Sequence, residues 1–172
     1  MPQSMQPAAL VIIGGTGDLA MRMLFPSLYF LDRDGFLDKE LRVIGAARST
    51  LDRDTFVETV HTRLRTHVAA EHYDESCWKR FAKRIDYVPV DGAAANGFQA
   101  LAKKLGRDGK APTEDAPPVV SYLSTAPKLY GPICEHLRAA GLAGPQDRIA
   151  VEKPIGHDLA SCRALNDCMA AV

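Results

Sequence analysis

Short apolar runs alternate along this chain with longer segments whose apolar residues recur at helical spacing. The runs typical of strands buried on both faces cover residues 8–13, 42–46, 85–90, 119–123 and 148–151. The helical segments between them cover residues 19–31, 54–68, 94–105 and 127–140. Strands that alternate with helices form a parallel sheet against which the helices pack. The pattern therefore predicts an α/β, Rossmann-type doubly wound fold, with a mainly parallel sheet and helices on both faces.

Glycines and prolines mark where these elements end. Gly35, Gly106 and Gly141 each follow a predicted helix, at a position where a left-handed cap residue is common. Residues 107–118 carry charges and three prolines, which indicates an exposed loop. A further helix is expected to begin near Asp158. Since 172 residues suffice for one well-formed core, we expect one domain over residues 1–172.

Composition and charge exclude several classes of protein. Hydrophobic residues make up 47% of the chain and charged residues 24%, as in ordinary globular proteins. Lys plus Arg and Asp plus Glu number 21 each, so the net field attracts neither nucleic acid nor an anionic membrane. The first apolar run is also too short to span a bilayer. We therefore expect no nucleic-acid partner and no membrane partner.

The cysteine pattern bears on metal binding and on the cellular compartment. The four cysteines are Cys77, Cys134, Cys162 and Cys168. They form no Cys-x-x-Cys pair, so we expect neither a disulfide framework nor a metal site. Reduced thiols of this kind are typical of a cytoplasmic protein.

The turn after the first apolar run has the composition of a phosphate-binding loop. Its residues are Gly14, Gly15, Thr16, Gly17, Asp18, Leu19, Ala20 and Met21. Gly14 allows a tight turn, Gly17 lets backbone N–H groups approach a pyrophosphate, and Ala20 lets the helix pack closely on the strand. The spacing is G-x-x-G-x-x-A rather than G-x-G-x-x-G, so the alternatives remain a glycine-rich connection without a ligand and a capping role for Asp18.

The residues after the second predicted strand bear on cofactor choice. In a dinucleotide-binding fold an acidic residue at this position reads the adenosine ribose of NAD. Arg48 and Ser49 stand here instead and offer hydrogen-bond donors to a 2′-phosphate. The sequence therefore favours NADP as cofactor, with a solvated arginine at a strand end as the alternative for Arg48.

Five segments in order carry a resemblance to a known family. They read GGTGDLA, LFPSL, GAARS, YLSTAP and VEKPIGHDL. This ordered set resembles the amino-terminal region of the glucose-6-phosphate dehydrogenase family and spans nearly the whole chain. The resemblance implies an NADP-dependent enzyme of the oxidative pentose phosphate pathway, which oxidises glucose 6-phosphate to 6-phosphogluconolactone.

The resemblance also implies roles for particular residues. Residues 14–21 would form the dinucleotide loop, Arg48 would hold the 2′-phosphate, and Tyr122 would line the cofactor cleft. Asp91 and Gly92 would join them from the end of the third strand.

Lys153, in the EKP segment, would contact both the substrate and the nicotinamide. A cis peptide bond before Pro154 would fix the direction of this lysine, for which a solvated loop position is the alternative. Met23 departs from the family, because a lysine associated with substrate is common at this position.

The family's histidine-containing substrate motif, R-I-D-H-Y-L-G-K, is absent from this sequence. We assign no catalytic role to the five histidines, His61, His67, His72, His136 and His157, since none lies at a diagnostic spacing from a carboxylate. The family's carboxy-terminal substrate and dimerisation domain is likewise absent from this chain. We therefore expect residues 1–172 to bind cofactor without turnover, and the full-length protein to be a homo-oligomer.

Two other functions stay open on sequence grounds. A glucose-fructose oxidoreductase also combines a dinucleotide domain with an EKP motif, although the GDL turn and YLSTAP argue against it. A free-standing nucleotide-binding or redox-sensing domain would need no second domain at all.

Overall fold

The strands lie in one sheet whose members all run parallel. The computed structural model describes residues 8–107, 112–114, 116–153, 162–163, 166–167 and 169. The strands in these ranges are β1 (Ala9–Ile13), β2 (Arg42–Ala47), β3 (Ile85–Pro89), β4 (Val119–Leu123) and β5 (Arg148–Val151). Their spatial order is β3-β2-β1-β4-β5, with every neighbouring pair parallel. The predicted Rossmann-type fold is confirmed.

Helices cover both faces of this sheet. A π-helical turn (Ala20–Leu24) leads into α1 (Phe25–Arg33), and the chain continues through α2 (Arg53–His67), α3 (Glu75–Arg84), α4 (Phe98–Lys104) and α5 (Tyr130–Ala139). Short 3₁₀ turns occupy Ala70–His72 and Pro127–Leu129. The first three α-helices pack on one face and α4 and α5 on the other, and each face has its own apolar core.

Alternation along β1 explains the two cores. Val11 and Ile13 belong to the core beneath α4 and α5, whereas Ile12 belongs to the core beneath α1, α2 and α3. Successive side chains of a strand point to opposite faces, so a strand covered on both sides must be apolar throughout. The continuous apolar run in the sequence reflects this double burial.

Helix α3 was not predicted from the sequence, which indicated only one helix between β2 and β3. Asp74 caps it, because the Asp74 carboxylate accepts a hydrogen bond of 2.8 Å from the Cys77 N–H group. Trp78 and Phe81 are its buried residues. Their spacing of three places both on one face, as in a helix that packs on a sheet.

Two predicted helices differ in detail. The predicted helix 94–105 begins at Phe98, because Gly97 adopts a left-handed conformation and residues before it form a turn. The first predicted helix contains the π-helical turn just before Pro26. Proline has no N–H group and its ring crowds the carbonyl four residues earlier, which explains a widened turn at this point.

The expected glycine caps are confirmed. Gly35, Gly106 and Gly141 all have positive φ, between 72° and 77°. The helix expected near Asp158 and the peptide bond before Pro154 lie outside the described residues.

A buried carboxylate joins α1 to α3. The Asp32 side chain is 2% exposed and pairs with Arg80 at 3.0 Å and with Arg84 at 2.6 Å. Arg84 also donates through one guanidinium nitrogen to the carbonyl groups of Asp38, Lys39 and Leu41. Arg84, at the end of α3, thereby connects the loop before β2 to α1 and α3.

Candidate functional site: a cleft at the carboxyl edge of the sheet

An open cleft of about 810 Å³ lies where β1, β2, β3 and β4 end. Its lining includes these residues predicted from the sequence: Gly14, Thr16, Gly17, Arg48, Ser49, Asp91 and Gly92. The carboxyl ends of parallel strands are where ligands bind in open α/β sheets, next to the point where the strand order reverses. In this sheet β1 lies at that point, with β2 on one side and β4 on the other.

The turn after β1 is fixed by backbone hydrogen bonds to the neighbouring strand. The N–H groups of Gly14 and Gly15 both donate to the Ala46 carbonyl, at 2.8 and 3.0 Å. Gly17 donates to the Gly14 carbonyl at 2.8 Å, and the helix then begins with Met21 donating to Gly17. The turn is therefore held in place by β2 without the help of side chains.

Gly14 is required here by both conformation and space. Its φ is +91°, a region that L side chains rarely adopt. A Cβ atom at this position would also collide with the Ser124 carbonyl oxygen. The chain after β4 thus passes directly against the turn after β1.

Backbone donors at the start of the helix are available for an anion. Among the described residues, the N–H groups of Thr16 and Asp18 have no acceptor. The first turn of any helix leaves such donors free, and the helix dipole adds positive potential at the same place. The Asp18 side chain does not cap the helix and forms an exposed ion pair with Arg22 at 3.1 Å.

The remaining residues of the predicted loop support it and do not line the cleft. Ala20 and Met21 are buried in the core that contains Ile12, as expected for Ala20. A Cβ on Gly15 would approach the Gly45 Cα to 2.9 Å, so its missing side chain allows close packing on β2. The Met21 side chain points into the core, and the part of Met21 in the dinucleotide loop stays a prediction drawn from the resemblance. Leu19 is exposed.

Arg48 and Ser49 lie at the mouth of the cleft, exposed to solvent. Arg48 has no hydrogen-bond or ion-pair partner among the described residues. Tyr87 of β3 contacts the backbone on both sides of Arg48. Its hydroxyl lies 3.0 Å from the Ala47 carbonyl oxygen and 2.6 Å from the Ser49 carbonyl oxygen. The guanidinium is free while its backbone is anchored.

Asp91 and Gly92 close the cleft on the β3 side. The Asp91 carboxylate accepts a hydrogen bond of 3.0 Å from the Ala93 N–H group, which shapes a short turn. Gly92 is buried, and a Cβ there would lie 3.1 Å from the Ile133 side chain of α5. Both residues line the cleft.

Tyr122 is not among the residues that line the cleft, and its contact with the cofactor stays a prediction drawn from the resemblance. It neighbours Leu123 on β4, whose side chain enters the core beneath α4 and α5, so Tyr122 faces the opposite side of the sheet. Its hydroxyl donates to the Glu152 carboxylate. Burial, followed by this hydrogen bond, raises the pKa of Tyr122 to about 12. Lys153, next to Glu152, is exposed at the end of β5 and is not part of the lining.

On the β4 side, the sequence predicted only Tyr122 in the cleft and not the residues that line it there. The additional lining residues after β4 are Ser124, Thr125, Ala126, Lys128 and Leu129. The hydroxyl oxygens of Ser124 and Thr125 are buried without a hydrogen-bond partner. The signal was present in the YLSTAP segment, because its last four residues follow the predicted strand 119–123 and must therefore emerge at the same edge as the glycine turn.

The described histidines lie away from the cleft. The His61 ring stacks on Trp78 with centroids 4.5 Å apart, and its Nε2 atom lies 2.9 Å from the Tyr73 hydroxyl. His136 packs against Phe98. The exposed residues His67 and His72 also lie outside the cleft lining, and His157 is outside the described residues.

Neither a membrane span nor a metal cluster is found in the described ranges. No helix there is both long and apolar enough to cross a bilayer. No group of three or more His, Cys, Asp or Glu side chains there is arranged to hold a metal ion.

Comparisons with known proteins point to a single family. Residues 11–172 match the family described as "Glucose-6-phosphate dehydrogenase, NAD binding domain". The chain is 40% identical over 171 residues to the glucose-6-phosphate 1-dehydrogenase of Mycolicibacterium smegmatis and 39% identical over 165 residues to that of Zymomonas mobilis. These alignments cover 99% and 96% of this chain but 34% and 33% of the relatives. The chain thus spans about a third of the length of these curated relatives.

Solved structures give the same result. The crystal structure of glucose-6-phosphate 1-dehydrogenase from Mycobacterium avium superposes with a TM-score of 0.80 at 35% identity, over 95% of this chain and 33% of that one. A glucose-6-phosphate dehydrogenase in complex with its substrate glucose-6-phosphate gives a TM-score of 0.77 at 26% identity, over 99% of this chain and 35% of that one.

Proposed function

Because the chain belongs to the glucose-6-phosphate dehydrogenase family, we propose that residues 1–172 form its dinucleotide-binding domain and bind NADP in the cleft. The observation that carries this proposal is that the glycine turn and Arg48, which has no partner in the part of the chain that the structure describes, lie on the same cleft. The family match favours this function over a glucose-fructose oxidoreductase and over a free-standing sensing domain.

The cleft offers two anion sites of different character. Backbone donors at Thr16 and Asp18, with the dipole of the helix behind them, suit the pyrophosphate. Arg48 and Ser49 suit the 2′-phosphate, because a guanidinium donates two parallel hydrogen bonds to phosphate oxygens.

In the full-length protein we propose oxidation of glucose 6-phosphate to 6-phosphogluconolactone in the cytoplasm, by a homo-oligomer. NADP, when bound, accepts the hydride from C1 of the sugar. This chain supplies placement and electrostatics, with Lys153 at the end of β5 as the residue that meets the substrate. The base that takes the hydroxyl proton belongs to the family's second domain.

Titration of the purified chain with NADP and with NAD tests the cofactor assignment. We expect tighter binding of NADP, and Arg48→Ala should remove most of the difference. A charge-assisted hydrogen bond contributes about 1.5–3 kcal/mol, which corresponds to roughly ten- to a hundredfold in affinity. Calorimetry at fixed salt concentration measures both constants.

Arg63→Ala is the matched control, since Arg63 is an exposed arginine on α2 outside the cleft lining. It should leave the preference for NADP unchanged. Equal affinities of the unmodified chain for the two cofactors would contradict the role of Arg48.

A second expectation concerns turnover. The isolated chain should bind NADP but form no measurable NADPH with glucose 6-phosphate, because loss of a general base alone costs about 10² to 10⁴ in rate. Absorbance at saturating NADP and substrate measures this, with a full-length relative as the positive control. Activity near that of the relative would mean that a base lies within residues 1–172.

A further inference from the structure

Tyr87 on β3 contacts the backbone on both sides of Arg48. Its side chain is 4% exposed, and its hydroxyl lies 3.0 Å from the Ala47 carbonyl oxygen and 2.6 Å from the Ser49 carbonyl oxygen. A phenol has one proton to donate, and the shorter distance is to Ser49. The residue between the two acceptors is the exposed Arg48.

The Tyr87 hydroxyl contacts the backbone at Ser49, beyond the last hydrogen bonds between β2 and β3. The β2–β3 ladder ends with the pairing of Ala47 with Pro89, and Val90 then donates to the Ala47 carbonyl at 2.9 Å. Beyond Ala47 the backbone leaves β2 and becomes exposed. Tyr87 and Ala47 belong to the same core, so the phenol extends along that face to reach the turn.

The Tyr87 ring is itself held rigidly. The Phe56 ring of α2 packs on it with centroids 4.5 Å apart. Phe56 in turn occupies the space that a side chain on Gly45 would need, so this ring packs directly against the backbone of β2. A tyrosine hydroxyl is neutral and can donate at physiological pH, and burial raises the pKa of Tyr87 further above its usual value.

We propose that Tyr87 is a positioning residue for cofactor selectivity, which fixes the turn at residues 47–49 so that the Arg48 guanidinium meets the 2′-phosphate. This inference rests on the proposed binding of NADP. Tyr87 itself does not touch the cofactor. Its contribution arises because an anchored backbone leaves fewer orientations of Arg48 to be lost when phosphate binds.

The test is Tyr87→Phe, which removes one oxygen and keeps the ring against Phe56. NADP affinity should fall by about three- to tenfold, the range for one neutral hydrogen bond, whereas NAD affinity should stay the same. In an Arg48→Ala background, Tyr87→Phe should lower NADP affinity much less than in the unmodified chain, because the charged group that it positions is gone and only Ser49 is left to meet the 2′-phosphate.

Tyr29→Phe is the matched control. Tyr29 is also a buried tyrosine whose hydroxyl binds backbone, at Asp74, but it lies between α1 and α3 and away from the cleft. It should leave the ratio of NADP to NAD affinity unchanged, and circular dichroism checks that both variants are folded.

The outcomes separate the two proposals. If the unmodified chain does not prefer NADP, the proposed function fails. If it does, and Tyr87→Phe leaves the ratio unchanged or weakens both cofactors equally, the role of Tyr87 is overturned. Additive effects of Tyr87→Phe and Arg48→Ala on NADP affinity would overturn that role as well.

Discussion

Gly14 and Gly17, in the turn after β1, are required for different reasons. At Gly14 a side chain would collide with the backbone after β4 and would demand a strained φ, so substitution there disturbs the fold. A Cβ on Gly17 would lie 3.0 Å from the Gly14 carbonyl oxygen and 4.0 Å from that of Ser124, at the surface of the cleft. Substitution at Gly17 therefore takes space mainly from the ligand.

Gly17→Val should abolish measurable NADP binding while circular dichroism remains nearly native. The branched side chain would occupy the position that phosphate oxygens must approach, and the short contact inside the turn can relax by a few tenths of an ångström. Titration of the folded variant measures the loss.

Gly131→Val provides the comparison, because a Cβ on that helical glycine meets nothing within 4 Å. Its affinity for NADP should stay close to that of the unmodified chain. Retained binding by folded Gly17→Val would show that this turn does not hold the pyrophosphate.

At the scale of elements, the ion pairs of Asp32 fasten α1 to α3. Removing one partner of a buried pair costs about 3–5 kcal/mol, because the remaining charges lose their compensation. We expect Asp32→Ala to lower the free energy of unfolding by this amount, measured by urea denaturation. The Arg84 side chain is 11% exposed and would lose its carboxylate partner.

Asp18→Ala tests whether burial of the ion pair is the reason for the large loss of stability expected in Asp32→Ala. The Asp18–Arg22 pair is similar in length, but its side chains are 75% and 57% exposed, so its loss should cost about 0–1 kcal/mol. Equal losses in the two variants would contradict the explanation.

The elements differ in how far the sequence predicts them. Strands β4 and β5 were located to the residue by their apolar runs, although β5 lies at the edge of the sheet and is only partly buried. Helix α3 was missed because its apolar residues are few and stand among charges, although Asp74, Trp78 and Phe81 contain the necessary signal. The direction of Tyr122 and the Tyr87 contact could not be predicted, since they depend on the register between strands distant in sequence.

For the whole molecule, all five tyrosines share one electrostatic property. Burial is the largest cause that raises the pKa of Tyr29, Tyr73, Tyr87, Tyr122 and Tyr130, to about 12 for Tyr73 and Tyr122. A tyrosine ionises near pH 10 in the unfolded chain and at a higher pH in the folded chain. These groups therefore stabilise the folded state fully below pH 10, and that contribution is lost as pH rises through the folded pKa values.

We expect the urea midpoint to fall above pH 10, together with delayed tyrosine ionisation in the absorbance at 295 nm. The chain in concentrated urea, which should titrate near pH 10, is the reference. Ionisation of all five tyrosines near pH 10 in a chain that stays folded would contradict this prediction.

At acid pH, the folding stability depends on carboxylates instead of tyrosines. Hydrogen bonds to Ser76 and Cys77 lower the pKa of Asp74 to about 2, and the pKa values of Asp34 and Asp52 are lowered in the same direction. Their contribution is present above about pH 4 and is lost as pH falls toward 2.

Because β1 pairs with β4, the sheet cannot be completed until the ribosome has synthesised β4. β1 is the central strand, yet one of its two partners follows roughly 110 residues later, where Ala9 pairs with Val119. At about 5–20 residues per second, translation needs roughly 6 to 20 s to deliver that partner. During this interval the nascent β1 has an unpaired edge of apolar residues, so its time of exposure to chaperones and to neighbouring chains is fixed by the rate of elongation.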